Sequence, residues 1–362
     1  MPESATSSRF PHRRAAAFAL AAAALFGVST PLAKLLVGAM PPQWLAGLLY
    51  LGSGFGLALW MALRRHVLRR VSAEAGLQRS DLPWLTGAIL SGGVIAPVLL
   101  VVGLAGTRAS VASLLLNLEG VFTALLAWFV FRENFDRRIF AGMIAIITGS
   151  LLLSWKNSVS GSIPWSALCI VGACFAWALD NNLTRKVSAA DPVQTTMLKG
   201  LVAGSINTLI AWFLTHRVPQ LGSMVAAGTV GLFSYGVSLT LFVLALRHLG
   251  TARTGAYFST APFMGAALSF LLFAERPELI FWIAAALMVL GVWLHLSERH
   301  EHAHNHRPLR HAHLHTHDEH HQHPHAADAP AGEPHSHFHT HEPLVHVHPH
   351  VPDIHHQHEH HD

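Results

Sequence analysis

Two stretches of this chain are versions of one another, and that repetition limits its fold more than any other feature. The first reads Leu114-Leu-Leu-Asn-Leu-Glu119-Gly-Val-Phe-Thr-Ala-Leu-Leu-Ala-Trp-Phe-Val-Phe-Arg-Glu133. A short charged hairpin follows, then a second apolar run that closes on Thr148-Gly149. The second reads Ser259-Thr-Ala-Pro262-Phe-Met-Gly-Ala-Ala-Leu-Ser-Phe-Leu-Leu-Phe-Ala-Glu275 and closes on Val289-Leu-Gly291. Glu133 and Glu275 lie 142 residues apart, as do Gly149 and Gly291, and Phe131 and Phe273 share that register. A tandem duplication in a nearly all-apolar chain is a common pattern among membrane transporters.

Only 12% of the residues are charged and 51% are hydrophobic, whereas soluble domains carry about a quarter charged residues. Ten apolar runs are each long enough for a helix to cross the hydrocarbon core. They are expected at Ala15–Val37, Trp44–Leu63, Trp84–Leu104, Ala109–Phe131, Ile139–Trp155, Pro164–Leu183, Thr195–Leu214, Met224–Leu246, Thr254–Phe273 and Leu279–Leu296. The first has an Arg-rich start like a signal peptide. It is too long for a typical signal core, and similar segments follow it. The expected fold is an all-α membrane protein of ten transmembrane helices, built as two five-helix repeats, residues 15–155 and 164–296. A polar N-terminus, 1–14, precedes them, and a disordered tail, 299–362, follows.

Five helices per repeat is an odd number, so the second repeat must be inverted in the bilayer. Positive charge tests this. With the N-terminus inside, the inner segments carry 16 Arg and Lys before the tail, and the outer loops carry four: Arg108, Lys156, Arg217 and Arg276. Both termini are therefore expected in the cytoplasm of a multi-pass inner-membrane protein. Trp44, Trp60, Trp84, Trp155, Trp165 and Trp293 fall near predicted helix ends, as an interfacial belt requires. The partners implied are the lipid bilayer and a small-molecule or ion substrate, and a homodimer is left open. The basic pI near 9.4 comes from scattered loop residues and does not indicate nucleic acid. Cys169 and Cys174, five apart on one helix, point away from each other and are expected as packing thiols.

With these residues in hand, the chain resembles the drug/metabolite transporter superfamily, and within it the EamA-type ten-helix transporters. The resemblance rests on Leu114–Glu133 with Gly149, on Ser259–Glu275 with Gly291, and on Phe175-Ala-Trp177 in helix six. Gly106-Thr107 before helix four and Gly250-Thr251 before helix nine add to it. It covers about residues 14 to 297 and implies movement of small metabolites, amino acids or toxic compounds across the inner membrane, often outward. One departure is local: Pro262 breaks helix nine, but helix four carries Gly120, preceded by Glu119, at the matching place.

Glu119 is the sharpest candidate, because an acid midway along a spanning helix is costly unless paired or hydrated. Such an acid can take up and release a proton, as proton coupling requires; its plainer role is a hydrogen-bonded packing group. Lys34, in the outer part of helix one, has three expected uses: meeting Glu119, binding an anionic substrate, or snorkelling to the outer headgroups. Asp180 and Lys199 sit near the inner ends of helices six and seven, which a short loop joins. They are expected to pair, as a cytoplasmic gate or as a structural ion pair. Glu133 and Glu275 read as interfacial anchors. Pro31, Pro97, Gly120 and Pro262 can break or loosen helices, exposing backbone groups where a substrate binds. No nucleophile–base pair, phosphate loop or closed metal motif suggests an enzyme.

The tail holds 24 of the 29 histidines. His300, His302, His304, His306, His311, His313, His315 and His317 alternate with other residues. Neutral imidazoles at that density are ligands for Zn, Ni or Co. No cofactor is required by the helical part. The tail admits a metal exporter that it feeds, a metal sensor or buffer anchored by the helices, or a histidine expansion unrelated to transport.

Overall fold

A computed structural model describes residues 12–67, 76–131, 137–156, 163–187 and 190–296, with strands at 301–305, 309–315, 335–341 and 345–349. Glu133, His300, His306 and His317 lie outside the described residues. Helices α1 (His12–Gly27) and α2 (Ser29–Leu36) form the first span, and α3 (Pro42–His66) the second. The third span comprises α4 (Leu82–Ala88), a π-helical segment Ile89–Ile95 and α5 (Ala96–Gly106). The fourth comprises α6 (Ala109–Leu115) and α7 (Leu118–Phe131). Then come α8 (Arg137–Lys156), α9 (Trp165–Arg185), α10 (Pro192–Thr215) and α11 (Leu221–Gly231), followed by a second π-helical segment, Leu232–Val237. Helices α12 (Ser238–Phe258), α13 (Ala261–Phe273) and α14 (Leu279–Leu296) complete the bundle.

Eight spans are long and apolar enough to cross a membrane, and the shorter apolar helices Ala261–Phe273 and Leu279–Leu294 occupy the ninth and tenth places. One boundary differs from expectation. Helical backbone runs unbroken through Ser238–Phe258, across the turn expected near Gly250. No proline interrupts that stretch, and Gly250 and Gly255 each cost a helix only about 1 kcal/mol.

The duplication is visible in the irregularities. Each repeat carries a π-helical segment in its third helix and a break in its fourth, between α6 and α7 and between α12 and α13. The two breaks use different chemistry. In helix four, Asn117 Nδ2 donates to Leu114 O at 2.9 Å, a side chain competing with the backbone ladder. In helix nine, Thr260 Oγ1 donates to Tyr257 O at 2.6 Å, and Pro262 sits in the first turn of α13.

The repeats interlock rather than sit side by side. Helix α3 packs on α10 and α11, α1 on α12 and α13, and α8 on α14. Lipid offers little hydrophobic drive for helix association, so close packing of small residues has to supply it. The repeat-closing glycines show how. A Cβ on Gly149 would stand 2.9 Å from Ala284 O, and one on Gly291 would stand 2.6 Å from Gly142 O. Each glycine packs against the helix that carries the other. The outward surface is apolar, with Leu271, Leu279, Leu59 and Trp165 among its exposed side chains, as a bilayer-facing surface requires.

The tail's described residues pair as two antiparallel two-stranded ribbons: β1 (Glu301–Asn305) with β4 (Val345–Pro349), and β2 (Leu309–His315) with β3 (His335–His341). A two-stranded ribbon is marginal on its own in water, so this segment adds no core of its own.

Candidate functional site

The polar groups gather where the regular helices fail. Below the break in helix four, Glu119 occupies the first turn of α7. Its Oε1 accepts a hydrogen bond from Asn181 Nδ2 on α9 at 2.7 Å. Glu119 is half-buried, while Gly120 and Asn181 are exposed. A Cβ on Gly120 would meet nothing within 4 Å. An acid and an amide that face hydrocarbon are costly, and the open side at Gly120 leaves room for a polar partner beside them.

One residue before Asn181, Asp180 points the other way and is buried. It forms an ion pair with Lys199 of α10 and accepts from Thr184 Oγ1 at 2.9 Å. The pair cancels its own charge. Glu119 lies within electrostatic range of both partners and is the acid of the site without a cation bonded to it among the described contacts.

The π-helical segment of the third span forms the wall beside this pair. A π turn leaves carbonyls without their usual partner, and three other helices satisfy them. Tyr50 Oη on α3 donates to Gly92 O at 2.6 Å, and Trp177 Nε1 on α9 donates to the same oxygen at 3.0 Å. Asn207 Nδ2 on α10 donates to Gly93 O and Val94 O at 3.2 and 3.3 Å. Aromatic rings continue the wall. Tyr235, from the second π-helical segment, stands 5.3 Å from Tyr50 and 5.8 Å from Phe26, with Phe26 6.4 Å from Trp177.

Gly92 is the hinge between wall and ion pair. A Cβ there would lie 1.9 Å from Asp180 Oδ2, so Gly92→Ala must push the carboxylate away from Lys199. The expected cost is roughly 1–3 kcal/mol, the range for overpacking a close contact. Equilibrium unfolding in mixed micelles measures it, and wild-type stability in the variant would disprove this packing.

Two further charges, Lys34 and Glu275, fasten helix ends. Lys34 Nζ on α2 donates to Leu104 O, and to Ala105 O at 3.5 Å, at the C-terminal end of α5. Of its three expected uses, meeting Glu119 is not what the structure shows: the break at Val28 and the Pro31 turn of α2 carry Lys34 outward instead. Glu275, beyond the end of α13, caps the start of α6. It accepts from Ala109 N–H at 3.1 Å, Ser110 N–H at 3.4 Å and the Ser110 hydroxyl. A carboxylate is the right partner for a helix N-terminus. Ala274, with φ of 49°, turns the chain so that Glu275 reaches it.

The sequence suggested the Asp180–Lys199 pair and treated Glu119 apart from it; the structure forms the pair and sets Glu119 beside it. It did not single out Tyr50, Asn207 or Gly92. The signal available was Ser91-Gly92-Gly93, small residues in the middle of an apolar run. Cys169 and Cys174 are both free and buried, Cys174 Sγ donating to Leu115 O at 3.6 Å. Among the described residues of the bundle, no three His, Cys, Asp or Glu gather as a metal site.

Comparison with known proteins agrees with this architecture. A transporter from Methanothermobacter thermautotrophicus is 31% identical over 287 residues, which are 76% of this chain and 84% of the relative. A probable amino-acid metabolite efflux pump of Escherichia coli K12 is 24% identical over 304 residues, covering 78% of this chain and 95% of the pump. A shorter match, 41% over 85 residues, joins 24% of this chain to 74% of a probable flippase subunit for 4-amino-4-deoxy-L-arabinose-phosphoundecaprenol from Pseudomonas fluorescens. A solved crystal structure shares the fold, with a TM-score of 0.57 at 18% identity, over 78% of this chain and 95% of that one. The EamA-like transporter family matches twice, at residues 13–155 and 164–297, once for each repeat, and the chain belongs to that family as a multi-pass inner-membrane transporter.

Proposed function

We propose that this transporter exports a small, amine-bearing metabolite in exchange for protons, by alternating access. The observation that carries the reading is the Glu119–Asn181 hydrogen bond, at a helix break, beside the open space at Gly120 and next to an ion pair that is already neutral. A carboxylate in that setting holds either a proton or a cationic solute, and competition between the two is what couples their movements. The rings of Phe26, Tyr50, Trp177 and Tyr235 add faces suited to a cation or to an apolar side chain. The relative named as a probable amino-acid metabolite efflux pump suggests the same class of solute.

The arginine asymmetry favours both termini inside. In that orientation Lys34 and Glu275 fasten the outer end. Outward opening requires Glu275 to leave the start of α6. Asp180 and Lys199 then sit on the cytoplasmic path, where a gate would act.

The test is dissipation of an imposed pH gradient in proteoliposomes carrying a pH dye, screened with amino acids and amines. One or more of these solutes is expected to discharge the gradient through the wild type. Glu119→Gln keeps the side-chain volume but cannot exchange a proton, so it is expected to lower the rate at least about tenfold, equivalent to about 1.4 kcal/mol. Discharge by the variant at the wild-type rate would rule out Glu119 as the coupling group. Divalent-metal export is the second reading, favoured by the histidine tail, and flux of Zn²⁺ in the same vesicles identifies it. A membrane-anchored sensor or buffer predicts no flux of any solute.

A further inference from the structure

The backbone pairing of the tail sets histidine opposite histidine. In the β1–β4 ribbon, His302 pairs with His348 and His304 with His346. In the β2–β3 ribbon, His311 pairs with His339, His313 with His337 and His315 with His335. All five of these cross-strand pairs join two histidine positions. The intervening positions carry other residues: Ala303 opposite Val347, Ala312 opposite Phe338, and Leu314 opposite Ser336.

This parity has a chemical meaning. Alternate positions of a strand share one face, so each ribbon has a face composed mainly of histidine positions. In any antiparallel pair, directly opposed residues have Cβ atoms about 4.5–5.5 Å apart, close enough for two imidazoles to share one ion. Two successive pairs supply the four nitrogen ligands of a tetrahedral site. A slip of one residue would put every histidine opposite a different residue type, so the register is of a kind that a metal would select.

We propose that the tail is a metal-closed clip for Zn²⁺ or a similar divalent transition metal. One four-histidine site is His302, His304, His346 and His348. A second is drawn from the three pairs of β2 and β3. Each ion joins the front arm of the tail to the back arm, so binding and ordering are one event, as for small metal-dependent folds. The ribbons alone are marginal, and the metal supplies what they lack. This goes beyond His-x-His chelation within one arm, and it stands whether or not the bundle moves an amine.

The experiment uses the full chain in nanodiscs, with Cys169 and Cys174 replaced by Ala. Spin labels are placed at Ala303→Cys and Val347→Cys, register partners that are not histidines. Adding Zn²⁺ is expected to collapse a broad distance distribution to a short, narrow one. Zn²⁺ affinity is read in parallel by competition with a chromophoric chelator. Replacing His302, His304, His311, His313 and His315 by Ala removes the front-arm half of both sites and leaves the back-arm histidines intact. It is expected to abolish the collapse at these labels and to weaken the tightest binding on the order of a hundredfold, the scale of a lost linked contact. Two results would overturn the proposal. One is Zn²⁺ binding with no change in the distance between the arms. The other is unchanged tight binding in that five-histidine variant, since either means that single-arm chelation suffices.

Discussion

Replacing Lys199 with Met is expected to destabilise the bundle by about 3–5 kcal/mol, the usual cost of stranding one member of a buried ion pair. Asp180 is buried on α9, and the close approach of Gly92 leaves its carboxylate little room to move. Once Lys199 is gone, only the Thr184 hydroxyl remains to hold that charge among its described partners. The reverse change, Asp180→Asn, is expected to cost less. Lys199 is only partly buried and lies in the N-terminal half of α10, so its long stem can carry the ammonium toward the polar end of the helix. The double variant Asp180→Asn, Lys199→Met removes both charges and is expected to recover most of the loss. Denaturant titration of the four proteins in mixed micelles closes a double-mutant cycle. A Lys199→Met protein as stable as the wild type would mean that the pair is not buried, and the account of Glu119 as the site's uncompensated charge would fall with it.

That pair also shows how far a sequence of this type can be read. Charged residues within spanning helices are so costly that Asp180, Lys199 and Glu119 stand out in an apolar chain, and the short loop between their helices places the first two together. The duplication was legible for the same reason. Gly149 and Gly291 recur because each must admit the other's helix, and few residues are that small. The features that stayed hidden depend on backbone geometry. Nothing in Leu118–Glu133 says that Asn117 will break helix four in place of a proline. A π-helical turn depends on which neighbours are ready to receive the freed carbonyls, and Tyr50, Trp177 and Asn207 come from three different helices. Glu275 could be placed at a helix end from its spacing to Glu133. Its true partner, the start of α6, lies some 165 residues earlier in the chain, and only the inverted packing of the repeats brings the two together. The register of the tail is hidden in another way, because alternating histidines along one arm carry no information about the arm they will face.

The interface between the repeats should be the least forgiving part of the molecule. Gly231→Val is expected to cost about 3 kcal/mol or more, at the upper end of overpacking effects. A Cβ at Gly231, at the end of α11, would stand 1.8 Å from Leu49 O and 2.5 Å from Leu49 C on α3. These are backbone atoms, so no rotamer change can relieve the clash and the helices must separate. About one turn away, a Cβ on Gly52 of α3 would stand 2.0 Å from Gly228 O, so the close approach is not confined to a single residue. Without a strong hydrophobic drive in lipid, separation forfeits the dispersion contacts that hold such helices together. Gly222 lies on the same helix and provides the control: a Cβ there meets nothing within 4 Å, and Gly222→Ala is expected to be neutral or slightly stabilising through higher helix propensity. Thermal unfolding of both variants in the same detergent checks the contrast. Helix α3 belongs to the first repeat and α11 to the second. A clash at Gly231 therefore disturbs the surface between the repeats, and if transport works by the proposed alternating access it should fail in the fraction that still folds. Equal stability of the Gly231 and Gly222 variants would show that the repeats do not meet at this contact.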